Sequence, residues 1–264
     1  MFKKIVFASS LLFATGCTTV PITGRRQLSL VSDSEMNTLS ITQYRQTLSA
    51  AKLSTNSAEV AEVRRVGQRI SQAVELYFKQ QGQSAQLDGY QWEFNLIDDP
   101  KTVNAWCMPG GKVAVYSGIL PFTRDETGLA VVMAHEISHA VAKHGAERMS
   151  DQLVAQVGGA ALSTALSQNP TATQGLFQQA VGMGTQVGLL AFSRRQESEA
   201  DHLGLIFMAM AGYNPSGAVP FWERMAAQSQ NNTPAFLSDH PADATRIADI
   251  RAQLPEALKY YKPR

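Results

Sequence analysis

Residues 129–142 read LAVVMAHEISHAVA, an apolar stretch broken by His135, Glu136, Ser138 and His139. At about 100° per residue, a helix through this stretch sets the two histidines some 40° apart on one face. Both imidazoles then reach one metal ion, and Glu136 lies close enough to address a water on it. That is the arrangement in which zinc acidifies water and a carboxylate takes the proton. Burying two imidazoles and a carboxylate among Val131, Val132, Met133 and Ala134 without partners is costly, and a metal removes the objection.

A catalytic zinc takes three protein ligands and keeps a position open, so a third ligand is required. His144 lies nine residues after His135, near 180° around a continued helix, which turns it away from the metal as a surface or supporting residue. The position ten after His135 is Gly145. Residues 193–201, SRRQESEAD, offer more. Ser193 suits a helix cap, and Glu197 and Asp201 share a face at i and i+4. One carboxylate then ligates the metal while the other orients a histidine through its second nitrogen. Glu199 points elsewhere, into solvent. On residue pattern alone the segment also fits a surface ion-pair face with Arg194 and Arg195.

Taken together, HEISH, the 193–201 segment and Asn104-Ala105 ahead of Pro109-Gly110-Gly111 resemble the HtpX and CAAX-prenyl-protease type of zinc metallopeptidases. The likeness runs over about residues 57–252 and is greatest to periplasmic lipoprotein members of the group. The resemblance implies a zincin-like domain with one Zn2+ held by His135, His139 and Glu197, Asp201 supporting a ligand and Glu136 as general base. Asp239-His240-Pro241 and Arg246 match a further motif. By it, His240, with Arg246, stabilises the oxyanion, or His240 occupies the metal at rest. The strand Lys112 to Tyr116 resembles a substrate-binding sheet edge, with Asn104, Ala105, Val113 and Val115 in contact with an extended peptide. Such main-chain pairing suits hydrolysis of unfolded or misassembled envelope proteins. The rival reading is a periplasmic chaperone or outer-membrane assembly factor that keeps the zinc-bound fold with little proteolysis.

Outside these motifs the chain reads as scaffold. Asp33 suits the cap of a helix to about Ala51. Val60, Val63, Val66, Ile70, Val74 and Tyr77 recur at helical spacing in a second helix that stops near Gly82. Alternation around Tyr90 to Ile97 and Lys112 to Tyr116, about the Pro109-Gly110-Gly111 turn, predicts a small antiparallel sheet. From Asp125 the pattern is helical almost to the end. The class is α+β, mostly helical, with a single metallopeptidase domain over 33–264. Between Leu153 and Leu190 lies a small-residue stretch whose glutamines, Gln156, Gln168, Gln174, Gln178, Gln179 and Gln186, favour a soluble helical pair over a membrane hairpin.

Lys3 and Lys4 precede an apolar run from Ile5 to Ala14, far shorter than the roughly 20 residues of a spanning helix. This order predicts a signal peptide over 1–16. Thr15-Gly16-Cys17 resembles a lipobox, which makes Cys17 the lipidation site, residues 17–32 a lipid-anchored tether, and the periplasmic side of the outer membrane the location. Partners are then polypeptide substrates, the membrane through the lipid anchor, and outer-membrane assembly machinery. The net charge of +1 gives no field for nucleic acid. No Gly-x-Ser-x-Gly elbow is present, and Cys107 is left as the single thiol of the processed chain.

Overall fold

The helix carrying HEISH is buried along most of its length at the centre of the larger core. In the computed structural model the described residues are 17–157, 170–181, 192–228 and 234–263. Strands β1 (Cys17–Thr19) and β2 (Arg26–Leu28) form an antiparallel hairpin, followed by α1 (Asp33–Ala50) and α2 (Ser57–Gln80). Next come β3 (Glu93–Ile97), β4 (Ala105–Met108) and β5 (Lys112–Tyr116), then a short α3 (Leu120–Thr123), the central α4 (Glu126–Val141) and α5 (His144–Val157). Helices α6 (Pro170–Ala180), α7 (Arg194–Met210), α8 (Ala218–Gln228), α9 (Ala235–Asp239) and α10 (Ala244–Ala257) complete the order.

Asp125 starts α4 by accepting a hydrogen bond from Gly128 N at 2.9 Å, and every residue from Gly128 to Val141 is buried. A helix without a polar face needs neighbours on all sides. Helices α2 and α7 and strand β4 supply them. The sheet divides two apolar cores by the period-2 rule. Phe94, Leu96, Ala105, Cys107, Val113 and Val115 face the larger core with α2 and α4. Ile97, Trp106, Met108 and Ala114 face the smaller one with Met36 and Tyr44 of α1, Met149 of α5 and Phe177 of α6.

The mostly helical α+β class is as the residue pattern predicts, but the sheet differs in detail. Strand order is β3-β5-β4, with β3 parallel and β4 antiparallel to β5. The Pro109-Gly110-Gly111 turn joins β5 to β4, not to β3, with Gly110 and Gly111 at φ of 79° and 80°, a region glycine enters without strain. Strand β4 escapes an alternation test because Ala-Trp-Cys-Met is apolar on both faces. Lys112–Tyr116 is therefore interior: both its edges are paired, and Val113 and Val115 are fully buried, so neither touches an extended substrate. The edge strands are β3, which Leu53 bridges at Ile97, and β4, which lies beside α4.

Two further expectations change. Ser32, not Asp33, caps α1, in a capping box with Glu35. Residues 17–32, expected as an extended tether, fold onto the body instead: Val20 joins the larger core and Val31 the smaller. The signal-peptide segment 1–16 and most of the small-residue stretch between Leu153 and Leu190 lie outside the described residues. No described helix is long and apolar enough to cross a membrane.

Candidate metal centre

Two helices bring the donors together. Helix α4 presents His135 and His139 one turn apart, with Nε2 atoms 3.1 Å from each other. Helix α7 begins at Ser193, whose side chain closes a capping box with Gln196, and this start places Glu197 and Asp201 against α4. Glu197 Oε2 lies 3.5 Å from His135 Nε2, and its Oε1 lies 3.4 Å from His139 Nε2. His240, just after α9, adds Nδ1 at 3.1 Å from His135 Nε2 and 2.9 Å from Glu197 Oε1. Atoms of His135, His139, Glu197 and His240 all lie within 4.8 Å of one another, and all four residues are buried.

Whether these residues fit a metal is decided by their outer nitrogens. His135 Nδ1 lies 3.0 Å from Asp201 Oδ1, and His139 Nδ1 lies 3.0 Å from His144 Nδ1. With the Nδ1 protons spent outward, the two Nε2 lone pairs face each other. One shared proton satisfies a single pair; a metal ion takes the lone pairs of all. Ligands on a tetrahedral zinc at about 2.0–2.1 Å sit roughly 3.3 Å apart, close to the spacing found here. Burial holds His139 well below the ordinary imidazole value, so that ring is neutral and able to ligate. Burial acts to raise Glu197, yet His240 and Arg246 outweigh it and hold the carboxyl well below its usual range. His135 is raised: burial and Arg246 oppose this, but Asp201 and Glu197 prevail. The field that draws a proton to His135 favours a dication equally. Two imidazoles, a carboxylate and an adjacent third imidazole suit zinc.

Glu136 lies beside the donors. Its Oε1 is buried and makes no hydrogen bond among the described residues, with His240 Nε2 3.4 Å away. Burial pushes its carboxyl up to about 7 although His240 opposes the rise. A carboxyl poised near neutrality is suited to accept and return a proton at working pH. Cys107 is buried, and burial pushes its thiol well above the ordinary value, with the nearby Glu136 charge adding to the shift. Such a thiol is inert as a nucleophile.

Arg246 sits differently from the expectation that it joins His240 on an oxyanion. It donates from Nε to Asp201 Oδ2 and from Nη2 to Asp201 Oδ1, both at 2.8 Å, and from Nη1 to Pro241 O at 3.1 Å. Nη1 also lies 2.8 Å from Glu197 Oε2 as an ion pair, and that oxygen makes no hydrogen bond among the described residues. The guanidinium lies 3.5 Å over the Trp222 ring. Arg246 is thus committed to holding the carboxylates that hold the histidines.

His144 and Glu199 are the residues that helical extrapolation misplaced. Helix α4 ends at Val141, Lys143 turns at φ of 59°, and His144 opens a new helix, so it swings back toward His139. It is fully buried, with Nε2 3.2 Å from Glu199 Oε2. Glu199 is buried too, and so not a solvated side chain. Phe192 closes the site, its ring 3.9 Å from the His139 ring and 5.3 Å from that of His240. No periodicity marks Phe192, since it precedes the Ser193 cap.

Asn104 and Ala105 stand at the start of β4. Asn104 O accepts from Tyr116 N, so by antiparallel alternation Ala105 and Cys107 turn their N–H and C=O away from β5. The outward Ala105 N–H donates to Asn104 Oδ1 at 2.8 Å. Val103 O accepts from Phe236 N, which places the segment leading to His240 beside this edge.

A helix-borne HExxH pair with a glutamate brought beside it by a second helix is the residue pattern of the metallopeptidase class. Residues 58–254 match peptidase family M48, and the chain belongs to that family. The mitochondrial metalloendopeptidase OMA1 of Schizosaccharomyces pombe is 41% identical over 173 residues, 65% of this chain and 49% of the relative. OMA1 of Saccharomyces cerevisiae is 36% identical over 185 residues, 67% of this chain and 51% of the relative. The beta-barrel assembly-enhancing protease of Escherichia coli strain K12 is 31% identical over 169 residues, 61% of this chain and 34% of the relative. The chain thus spans about half of the two yeast relatives and about a third of the bacterial one.

Proposed function

We propose that this protein is a zinc-dependent endopeptidase acting on unfolded or misassembled envelope proteins. The observation that carries the reading is the convergence of His135, His139 and Glu197 beside Glu136, whose Oε1 makes no hydrogen bond among the described residues. Zinc, when bound to the two histidines and Glu197, supplies a Lewis acid that polarises a carbonyl and acidifies water. Glu136 takes the water's proton and delivers it to the leaving amine. Asp201 keeps the His135 ring oriented, and Arg246 keeps Asp201 and Glu197 in place. His240 is the fourth donor of this closed arrangement, and on opening its ring is free to bond the developing oxyanion. The outer edge of β4 at Ala105 and Cys107, with Asn104 at its end, is the pairing surface for an extended peptide.

The apolar run ahead of Cys17 supports export, lipidation at Cys17 and residence on the periplasmic face of the outer membrane. The bacterial relative's name, a beta-barrel assembly-enhancing protease, supports envelope substrates and contact with assembly machinery. Replacing Cys17 by Ser is expected to release the protein from membranes; retention there removes the lipid anchor from the account.

Metal analysis paired with digestion of an unfolded protein tests the enzyme. Wild type is expected to carry one zinc and cut, while Glu136→Gln keeps the zinc and loses roughly 10²–10⁴-fold in rate. Unchanged cleavage by the variant removes Glu136 as the base. The burial of all four donors favours a second reading, a chaperone that keeps the zinc-bound fold with little proteolysis. Stoichiometric zinc with no cleavage and suppressed aggregation would establish it.

A further inference from the structure

The metal donors receive support from a part of the chain that precedes the family match at residue 58. In the turn between β1 and β2, Arg25 donates from Nε to Glu199 Oε1 at 2.8 Å and Oε2 at 2.9 Å. Thr23 Oγ1 donates to Glu199 Oε1 at 3.0 Å. Glu199 Oε2 lies 3.2 Å from His144 Nε2, and His144 Nδ1 lies 3.0 Å from His139 Nδ1. We propose that Arg25, Glu199 and His144 form a positioning chain that fixes the ring and tautomer of His139, so that the N-terminal hairpin is part of the support of the metal centre. The inference rests on the metal reading of His139.

Only one placement of protons satisfies this chain. A carboxylate accepts only, so Glu199 requires the proton of His144 at Nε2. Arg25 supplies the positive charge that pairs with this carboxylate. With its proton at Nε2, the neutral His144 ring has a bare Nδ1. A bare Nδ1 accepts the proton of His139 Nδ1, and the lone pair of His139 is then at Nε2, facing His135 and Glu197. Thr23 and Arg25 fill the remaining acceptor capacity of Glu199.

The hairpin holds α4 and α5 at a second and third point. Gln27 donates from Nε2 to Ala142 O, at the end of α4, at 2.8 Å, and Leu30 N donates to Ser150 Oγ of α5 at 2.9 Å. Arg25 also pairs with Glu147 of α5. These contacts raise a rival account, in which Arg25 merely clamps the hairpin to the body. The two accounts differ in which carboxylate matters: a clamp uses Glu147 and Glu199 alike, whereas the positioning chain runs through Glu199 alone.

The test measures the zinc dissociation constant of the full chain against a chromophoric chelator. Glu199→Gln is expected to raise it roughly 10–100-fold, the cost of losing a ligand's outer partner. Arg25→Ala, which leaves every buried residue in place, is expected to raise it about tenfold, with Arg25→Lys restoring most of that by keeping a cation on Glu199. Glu147→Gln should remain within about twofold of wild type. Zinc affinity unchanged in both Glu199→Gln and Arg25→Ala overturns the proposal, as does an equal loss in Glu147→Gln and Glu199→Gln. Absence of zinc from the wild type is a separate result, which overturns the metal reading itself.

Discussion

Gly204 packs so closely on His135 that a Cβ on the glycine would lie 3.2 Å from His135 N and 3.3 Å from Ala134 C. Backbone atoms inside a helix do not move aside as a flexible side chain does. The contact sets the separation of α4 from α7, and so the distance between the histidines and Glu197. Gly204→Val is expected to destabilise the fold by about 1–3 kcal/mol, the usual cost of overpacking. Gly204→Ala should lie nearer neutral, because a gain of about 1 kcal/mol in helix propensity offsets the milder crowding. Urea unfolding reads both; a valine variant with the wild-type midpoint would mean that α7 is not held by this contact.

Assignment of Glu197 rests on its two oxygens lying among three imidazoles. Glu197→Ala is expected to lose zinc on dialysis by more than the roughly 10–100-fold that an outer partner is worth. His202, bonded to Glu256 on the far side of α7, provides the comparison. His202→Ala should retain its metal. Equal retention in the two variants would exclude Glu197 as a ligand.

Arg246 carries two buried carboxylates at once. Removing it leaves Asp201 and Glu197 as uncompensated buried charges, so Arg246→Ala is expected to cost about 3–5 kcal/mol in the metal-free chain. Arg246→Lys keeps the charge but loses the planar fork on Asp201, and is expected to fall between alanine and wild type. If lysine restored full stability, the paired hydrogen bonds would have no special part. Trp222 stacks against the guanidinium at 3.5 Å.

What was legible in the sequence and what was not follow from the range of each rule. His135, His139, Glu197 and Asp201 obey i, i+4 spacing within unbroken helices, where geometry is fixed by the backbone. His144 defeats the same rule because Lys143 breaks the helix with a positive φ, and nothing in Ala142-Lys143-His144 announces that break. Glu199 reads as a solvated side chain in the sequence because its partners, Thr23 and Arg25, lie far away, in a stretch with too few apolar residues to suggest packing. Strand β4 was hidden by uniform burial, and with it the order of the strands. Ser193 capping was readable since capping boxes are local. The His144 failure lies at a junction between elements, and those of Glu199 and β4 come from contacts with parts of the chain distant in sequence.

The hairpin also makes acid stability depend on Glu147. Burial acts to raise this carboxyl, but hydrogen bonds from Arg25 and Gln196 outweigh it and the net shift is downward. A folded-state value below the unfolded one contributes stability that is fully present above the unfolded value, roughly 4.3, and is lost as pH falls through the folded value. Without Arg25 the shift loses its main favourable cause. The gap in urea midpoint between wild type and Arg25→Ala is therefore expected to be full at neutral pH and to shrink below about pH 4 as the carboxyls protonate. Measuring in chelator keeps metal release out of the comparison. A gap that is the same at pH 7 and about pH 3 would show that Arg25 holds the hairpin by packing of its stem and not by its charge.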